Sequence, residues 1–102
     1  TSLVATFAVA PSFNGDLSRW DVSNVTSLGF TFFDATSFNG NLSRWDVRQV
    51  TEMQYAFHGA TSFNQQLGGS WAQSTARMER MFRNGCPGSI EGKTNDADGT
   101  PR

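Results

Sequence analysis

Acidic and amide side chains recur along this chain at fixed intervals, and an oxygen-rich repeat of that kind can in principle hold calcium. The set is Asp16, Asp21 and Asp46, with Asn14, Asn39 and Asn64. A step of 25 residues from Asp16 reaches Asn41, and a second step reaches Gln66, so the carboxylates are not sustained. The simpler reading is structural. The asparagines would cap turns and hydrogen-bond from one unit to the next, while Asp21 pairs with neighbouring arginines. Calcium is therefore a minor expectation, and no cofactor is expected.

Other reactive groups are sparse. Cys86 is the single cysteine and His58 the single histidine, and they fall in different segments. A thiol needs a nearby base or cation to become a nucleophile, so Cys86 reads as passive and His58 as an ordinary surface residue. Glycan hydrolysis needs two carboxyl groups facing each other across a cleft, and a continuous stack of units offers none. No catalytic residue and no metal ligand is assigned. Arg77, Arg80 and Arg83 stand at helical spacing with Glu79 between them. They suit the polar face of a terminal helix or, as the sharper alternative, a dock for an acidic partner or an anionic lipid. Arg19 and Arg44, with Asp21 and Asp46, would decorate an outward strand face. Asn24-Val25-Thr26 and Asn41-Leu42-Ser43 fit the glycosylation sequon, at positions the repeat also supplies for its own reasons.

Bulk properties narrow the partners. The chain has 102 residues and a formal charge of -1, which gives no electrostatic footprint for nucleic acid. Its longest apolar stretch, Leu3 to Ala10, is far short of the ~20 residues of a membrane span. The chain opens at Thr1 with no basic leader, and so reads as a piece of something longer.

What must position these groups is a repeat. Steps of 25 residues align Leu3, Leu28, Met53 and Met78, and equally Phe7, Phe32, Phe57 and Phe82. The same step aligns Phe13, Phe38 and Phe63, each followed by asparagine, and the column Leu17, Leu42 and Leu67. Ser18-Arg19-Trp20-Asp21-Val22 recurs unchanged as Ser43-Arg44-Trp45-Asp46-Val47. Leu28, Phe32 and Ala35 lie at i, i+4 and i+7, which predicts a short helix with Thr26 as its N-cap. Trp20, Asp21 and Val22 alternate, which predicts a short strand. One such unit cannot bury its apolar side chains alone, so neighbours must stack. Trp20 should then lie over Trp45, and Phe13 over Phe38 and Phe63.

The fold class expected is thus a repeat solenoid with one short strand and one short helix per 25-residue coil, in about three to three and a half coils. Units fall near 1–25, 26–50, 51–75 and, partially, 76–88. Gly68-Gly69-Ser70-Trp71 degrades the third strand segment and shifts its tryptophan by one place. Residues 89–102 form a polar tail expected to be mobile.

The run from Phe13 to Leu28, Phe-Asn-Gly-Asp-Leu-Ser-Arg-Trp-Asp-Val-Ser-Asn-Val-Thr-Ser-Leu, followed by Phe32 and Ala35, resembles the BspA-like repeat of mycoplasma-type surface lipoproteins. The resemblance covers residues 1 to about 88 and is poor at Gly68–Ser74. It implies a leucine-rich-repeat-like fold, surface display, and a role in adhesion or protein binding. It brings no catalytic residues, and Val25 and Val50 stand where a ladder asparagine would be expected.

The function expected is a non-catalytic interaction or scaffold module, docking on another protein or within a larger assembly. Its contacts would be the solenoid ends, through Leu3 and Phe7 in the apolar opening segment with Val4 and Val9, and the outward charged face. An adhesin-like surface domain is the alternative, and a glycan-processing enzyme a distant third. The compartment is open: the cell surface by resemblance, or an intracellular or organelle complex.

Overall fold

A computed structural model describes residues 2–102 of the chain. Thr1 lies outside the described residues.

Residues one repeat apart lie next to one another. Parallel bridges join Ser2 to Ser27, Ser27 to Glu52 and Glu52 to Arg77. The segments expected to be helical are instead runs of turns, at residues 4–9, 29–34, 54–59 and 79–82. Their backbone amides alternate in purpose. Thr31, Phe33 and Ala35 donate back within the unit to the carbonyls of Leu28, Phe30 and Phe32. Leu28, Phe30, Phe32 and Asp34 donate across to Glu52, Gln54, Ala56 and His58 of the next unit. Leu3, Ala5, Phe7 and Val9 do the same towards Ser27, Gly29, Thr31 and Phe33, and Met53, Tyr55, Phe57 and Gly59 towards Arg77, Glu79, Met81 and Arg83. An α-helix would need those same amides for its own i→i−4 bonds, so the two arrangements exclude each other.

The turn runs depend on left-handed backbone. One column of positive φ comprises Ala5, Phe30, Tyr55 and Arg80, and a second Val9, Asp34, Gly59 and Asn84. In a turn spanning Leu28 to Thr31 or Phe32 to Ala35, the left-handed residue is the third, the signature of a type II turn.

Inside the stack the phenylalanines form two touching columns. Phe7, Phe32, Phe57 and Phe82 follow one another at 5.4, 5.2 and 5.5 Å between ring centroids. Phe13, Phe38 and Phe63 follow at 5.8 and 5.9 Å, as the repeat predicts. The columns meet at Phe32–Phe38, 4.4 Å, and at Phe57–Phe63, 4.2 Å. Leu17, Leu42 and Leu67 are buried beside them.

The expected strand at Trp20–Val22 is absent; that segment runs between two turns. Its tryptophans work differently. The indole N–H of Trp45 donates to the Leu17 carbonyl, and that of Trp71 to the Leu42 carbonyl, each at 2.8 Å. A short 3-10 turn at Gly69–Trp71, with Gly69 left-handed, absorbs the extra residue and returns Trp71 to the stack at 6.5 Å from Trp45. Trp20 departs from expectation, since its ring partner is Phe7 at 5.7 Å and it is 45 % exposed.

The polar tail, expected to be mobile, folds back onto the preceding units. Strand β1 (Gln66–Leu67) pairs in parallel with β2 (Ser89–Ile90), which places the buried Ile90 beside Leu67. The register is 23 residues, two fewer than elsewhere, and the same shift brings buried Cys86 to the Phe63 position. Residues 94–102 then fold back as a hairpin, with an antiparallel bridge between Asn95 and Pro101. What holds these residues is hydrogen bonding and turn chemistry rather than core formers, which is why composition alone suggests mobility.

Candidate interaction surfaces

The acids in the loops between stacked segments are committed locally. Asp16 accepts from the amide and hydroxyl of Ser18, Asp21 from those of Ser23, and Asn41 from those of Ser43. Asp46 accepts from the Arg48 amide and binds the Arg48 guanidinium at 2.8 Å. The expected pairing of Asp21 with arginines is therefore corrected: its partner is Ser23, and the arginine beside Asp46 is Arg48 rather than Arg44. The reason is reach, since the residue two places on presents both its amide and its side chain to the carboxylate in an Asx-type turn. The Ser18 hydroxyl holds the Asp16 carboxyl below its ordinary value, and the Ser23 hydroxyl does so for Asp21. The Arg48 guanidinium lowers Asp46 to about 2. Arg19 and Arg44 project into solvent from adjacent units.

The asparagines form the expected unit-to-unit ladder. Asn14 Oδ1 accepts from the Asn39 amide at 2.9 Å, and Asn39 Oδ1 from the Asn64 amide at 2.8 Å. Pro87, 23 residues past Asn64, has no N–H with which to extend it.

The edge formed by residues 4–9 is open. The carbonyls of Val4, Thr6 and Ala8 stand in the columns of Gly29, Thr31 and Phe33, yet accept no hydrogen bond among the described residues. Val4 is 52 % exposed, Val9 66 % and Phe30 40 %. Leu3 and Phe7, expected at this end, are half-buried beneath them, with Phe7 stacked on Phe13 at 4.6 Å.

An outward row of rings crosses the units. Phe30 stacks on Tyr55 at 4.9 Å, and the Arg80 guanidinium lies 6.0 Å from the Tyr55 ring while donating to its hydroxyl. Phe33 stacks on His58 at 4.7 Å, with Asp34 Oδ1 3.8 Å from His58 Nδ1. The sequence reading missed Phe30 and Tyr55. Their signal is a column, Ala5, Phe30, Tyr55 and Arg80, where left-handed backbone favours glycine or asparagine and large side chains stand instead.

The arginines expected on one helix face are separated by the turn geometry. Arg77 pairs with Glu79 at 3.2 Å, and Arg80 turns to Tyr55. Arg83 is exposed. A pocket of about 320 Å³ gathers Tyr55, Glu79, Arg80, Asp98, Thr100 and Arg102, at the seam between the fourth turn run and the folded-back tail. Burial pushes the Cys86 thiol up to about 11, which leaves it protonated and inert at neutral pH.

Among the described residues no group of three or more potential ligands could hold a metal ion, and no helix is long and apolar enough to cross a membrane.

Tandem 25-residue units with interdigitating aromatic columns and an asparagine ladder define a repeat protein. The chain belongs to the family described as Mycoplasma protein of unknown function, DUF285, whose model matches residues 1–90. That span reaches Ile90 and so includes β2. No curated protein and no solved structure matches the chain.

Proposed function

We propose that this chain is a non-catalytic, leucine-rich-repeat-like solenoid module that docks on another protein through its outward face. The observation that carries the reading is the row on that face in which Phe30, 40 % exposed, stacks on Tyr55 at 4.9 Å and Arg80 donates to the Tyr55 hydroxyl. Aromatic and arginine side chains gathered on an exposed surface are the groups that protein partners cover. The native mass of the chain in extracts of its source tests this, by size-exclusion chromatography with mass detection. Elution in a large stable particle, from which the Tyr55→Ala variant is released as a monomer, is the expected result. Monomeric elution of the wild type would sink the reading.

A surface-displayed, adhesin-like domain is the second reading, and the outward row of Phe30, Tyr55 and Arg80 favours it. Its ligand would rest on that row, so Tyr55→Ala would abolish binding of the chain to target cells while Val9→Glu would not.

A further inference from the structure

Two outward columns run along the stack and change their chemistry together. One is Phe30, Tyr55 and Arg80, the other Phe33, His58 and Arg83. Within a unit the rings stand side by side, Phe30 and Phe33 at 5.5 Å and Tyr55 and His58 at 5.6 Å. From unit to unit they stack, Phe30 on Tyr55 at 4.9 Å and Phe33 on His58 at 4.7 Å. The result is a strip two side chains wide, with rings on two rungs and guanidiniums on the third. Phe30, Arg80 and Arg83 are exposed, and Phe33, Tyr55 and His58 half-buried. Phe30 and Tyr55 hold their rings on left-handed backbone, at φ 57° and 58°. Large side chains are strained there, and such strain gathers at functional positions.

The charges around the third rung leave one cation free. Glu79 is held by Arg77 at 3.2 Å, and Asp34 faces His58 at 3.8 Å. Arg80 donates to the Tyr55 hydroxyl and shares its pocket with Asp98. The Arg83 guanidinium has no hydrogen bond or ion pair among the described residues.

The chemistry changes along the stack axis, so a partner that reads it runs along that axis. An α-helix presents a turn of side chains every ~5.4 Å, close to the 4.7 to 4.9 Å between rungs. An extended strand presents same-face side chains every ~6.6–6.8 Å and is out of step by the second rung. We propose that the strip receives an amphipathic helix of a partner protein, laid along the stack. Its apolar side chains cover the two ring rungs, and a carboxylate two turns from the first of them pairs with Arg83. The proposal rests on the outward face being a docking surface, and adds what docks there.

A benzophenone-bearing phenylalanine placed at Phe33 of the full-length chain tests both, by cross-linking in extracts of its source. The segment joined to it is sequenced by mass spectrometry. We expect a stretch of amphipathic helical pattern with Asp or Glu about seven residues from the cross-linked position. A synthetic peptide of that stretch should gain helical circular dichroism on binding the wild-type chain. Arg83→Glu should weaken its binding at least about tenfold, and lysine in place of the peptide's acid should restore it to that variant. Tryptophan fluorescence reports that Trp45 and Trp71 stay packed in the variant. A peptide that binds without becoming helical, an affinity that Arg83→Glu leaves unchanged, or no rescue by lysine would overturn the helix and retain docking. A cross-link to lipid or glycan alone would overturn the helix and protein docking together, as would the absence of any cross-link.

Discussion

At the scale of single residues, identical side chains in successive units do different work, and stability measurements should separate them. Trp45 is 1 % exposed and its indole supplies the partner of the Leu17 carbonyl, whereas Trp20 is 45 % exposed against Phe7. Trp45→Phe leaves that carbonyl unpaired in the interior and should cost about 2 kcal/mol. Trp20→Phe removes no described hydrogen bond and should stay within about 0.5 kcal/mol of wild type in urea unfolding. The carboxylates add a pH dependence whose sign is fixed by their hydrogen bonds. Asp16, Asp21 and Asp96 have lowered values and Asp46 lies at about 2, against an ordinary 3.8. Stability from these groups is therefore fully present above the ordinary value and is lost as pH falls from 3.8 towards 2. A urea midpoint that is level from pH 7 to 5 and declines below 4 is the expected curve, and Asp46→Asn should flatten part of the decline.

At the scale of elements, the turn run replaces the expected helix, and the ring columns show why the sequence suits both. Leu28, Phe32 and Ala35 point inward in either arrangement, so an i, i+4, i+7 stripe does not distinguish them. The distinguishing signal is the column Asp34, Gly59 and Asn84, residue types that accept the left-handed backbone a right-handed helix forbids. A segment of six residues is also too short to make a helix by itself, since isolated helices need about 12–15. The aromatic columns and the asparagine ladder were legible because identical residues at a fixed step must superpose once units stack. The tail was not, because its order comes from a two-residue deletion that carries Ile90 into the leucine column, and from an Asp98-Gly99 turn. On the charged face local turn closure decides the partners of Asp21 and Asp46, which residue spacing alone does not reveal. Phe57 sits where both ring columns cross, touching Phe32, Phe63 and Phe82. Phe57→Ala should therefore cost about 3–5 kcal/mol in urea unfolding. Half-buried Phe7, at the open edge, should cost markedly less on the same substitution.

At the scale of the whole molecule, each unit leans only on its neighbours, so protection from solvent should follow position in the stack rather than residue type. The amides of Phe7, Phe32, Phe57 and Phe82 provide a matched series, with the same residue, column and bonding direction. Phe32 and Phe57 have a unit on either side and should exchange slowest, at the rate of global unfolding. Phe7 belongs to the unit whose outer carbonyls are unfilled, and should exchange through local fraying of residues 4–9. Phe82 decides what the tail contributes. Its acceptor is the Gly99 carbonyl, contributed by a hairpin of nine residues rather than by a full unit. If the hairpin closes the stack, Phe82 is protected well above Phe7 despite lying at the opposite extreme of the array, and Asp96→Ala lowers Phe82 alone. Equal, fast exchange at Phe7 and Phe82 would mean that the tail rests on the last unit without sealing it, and that the stack frays from both ends alike.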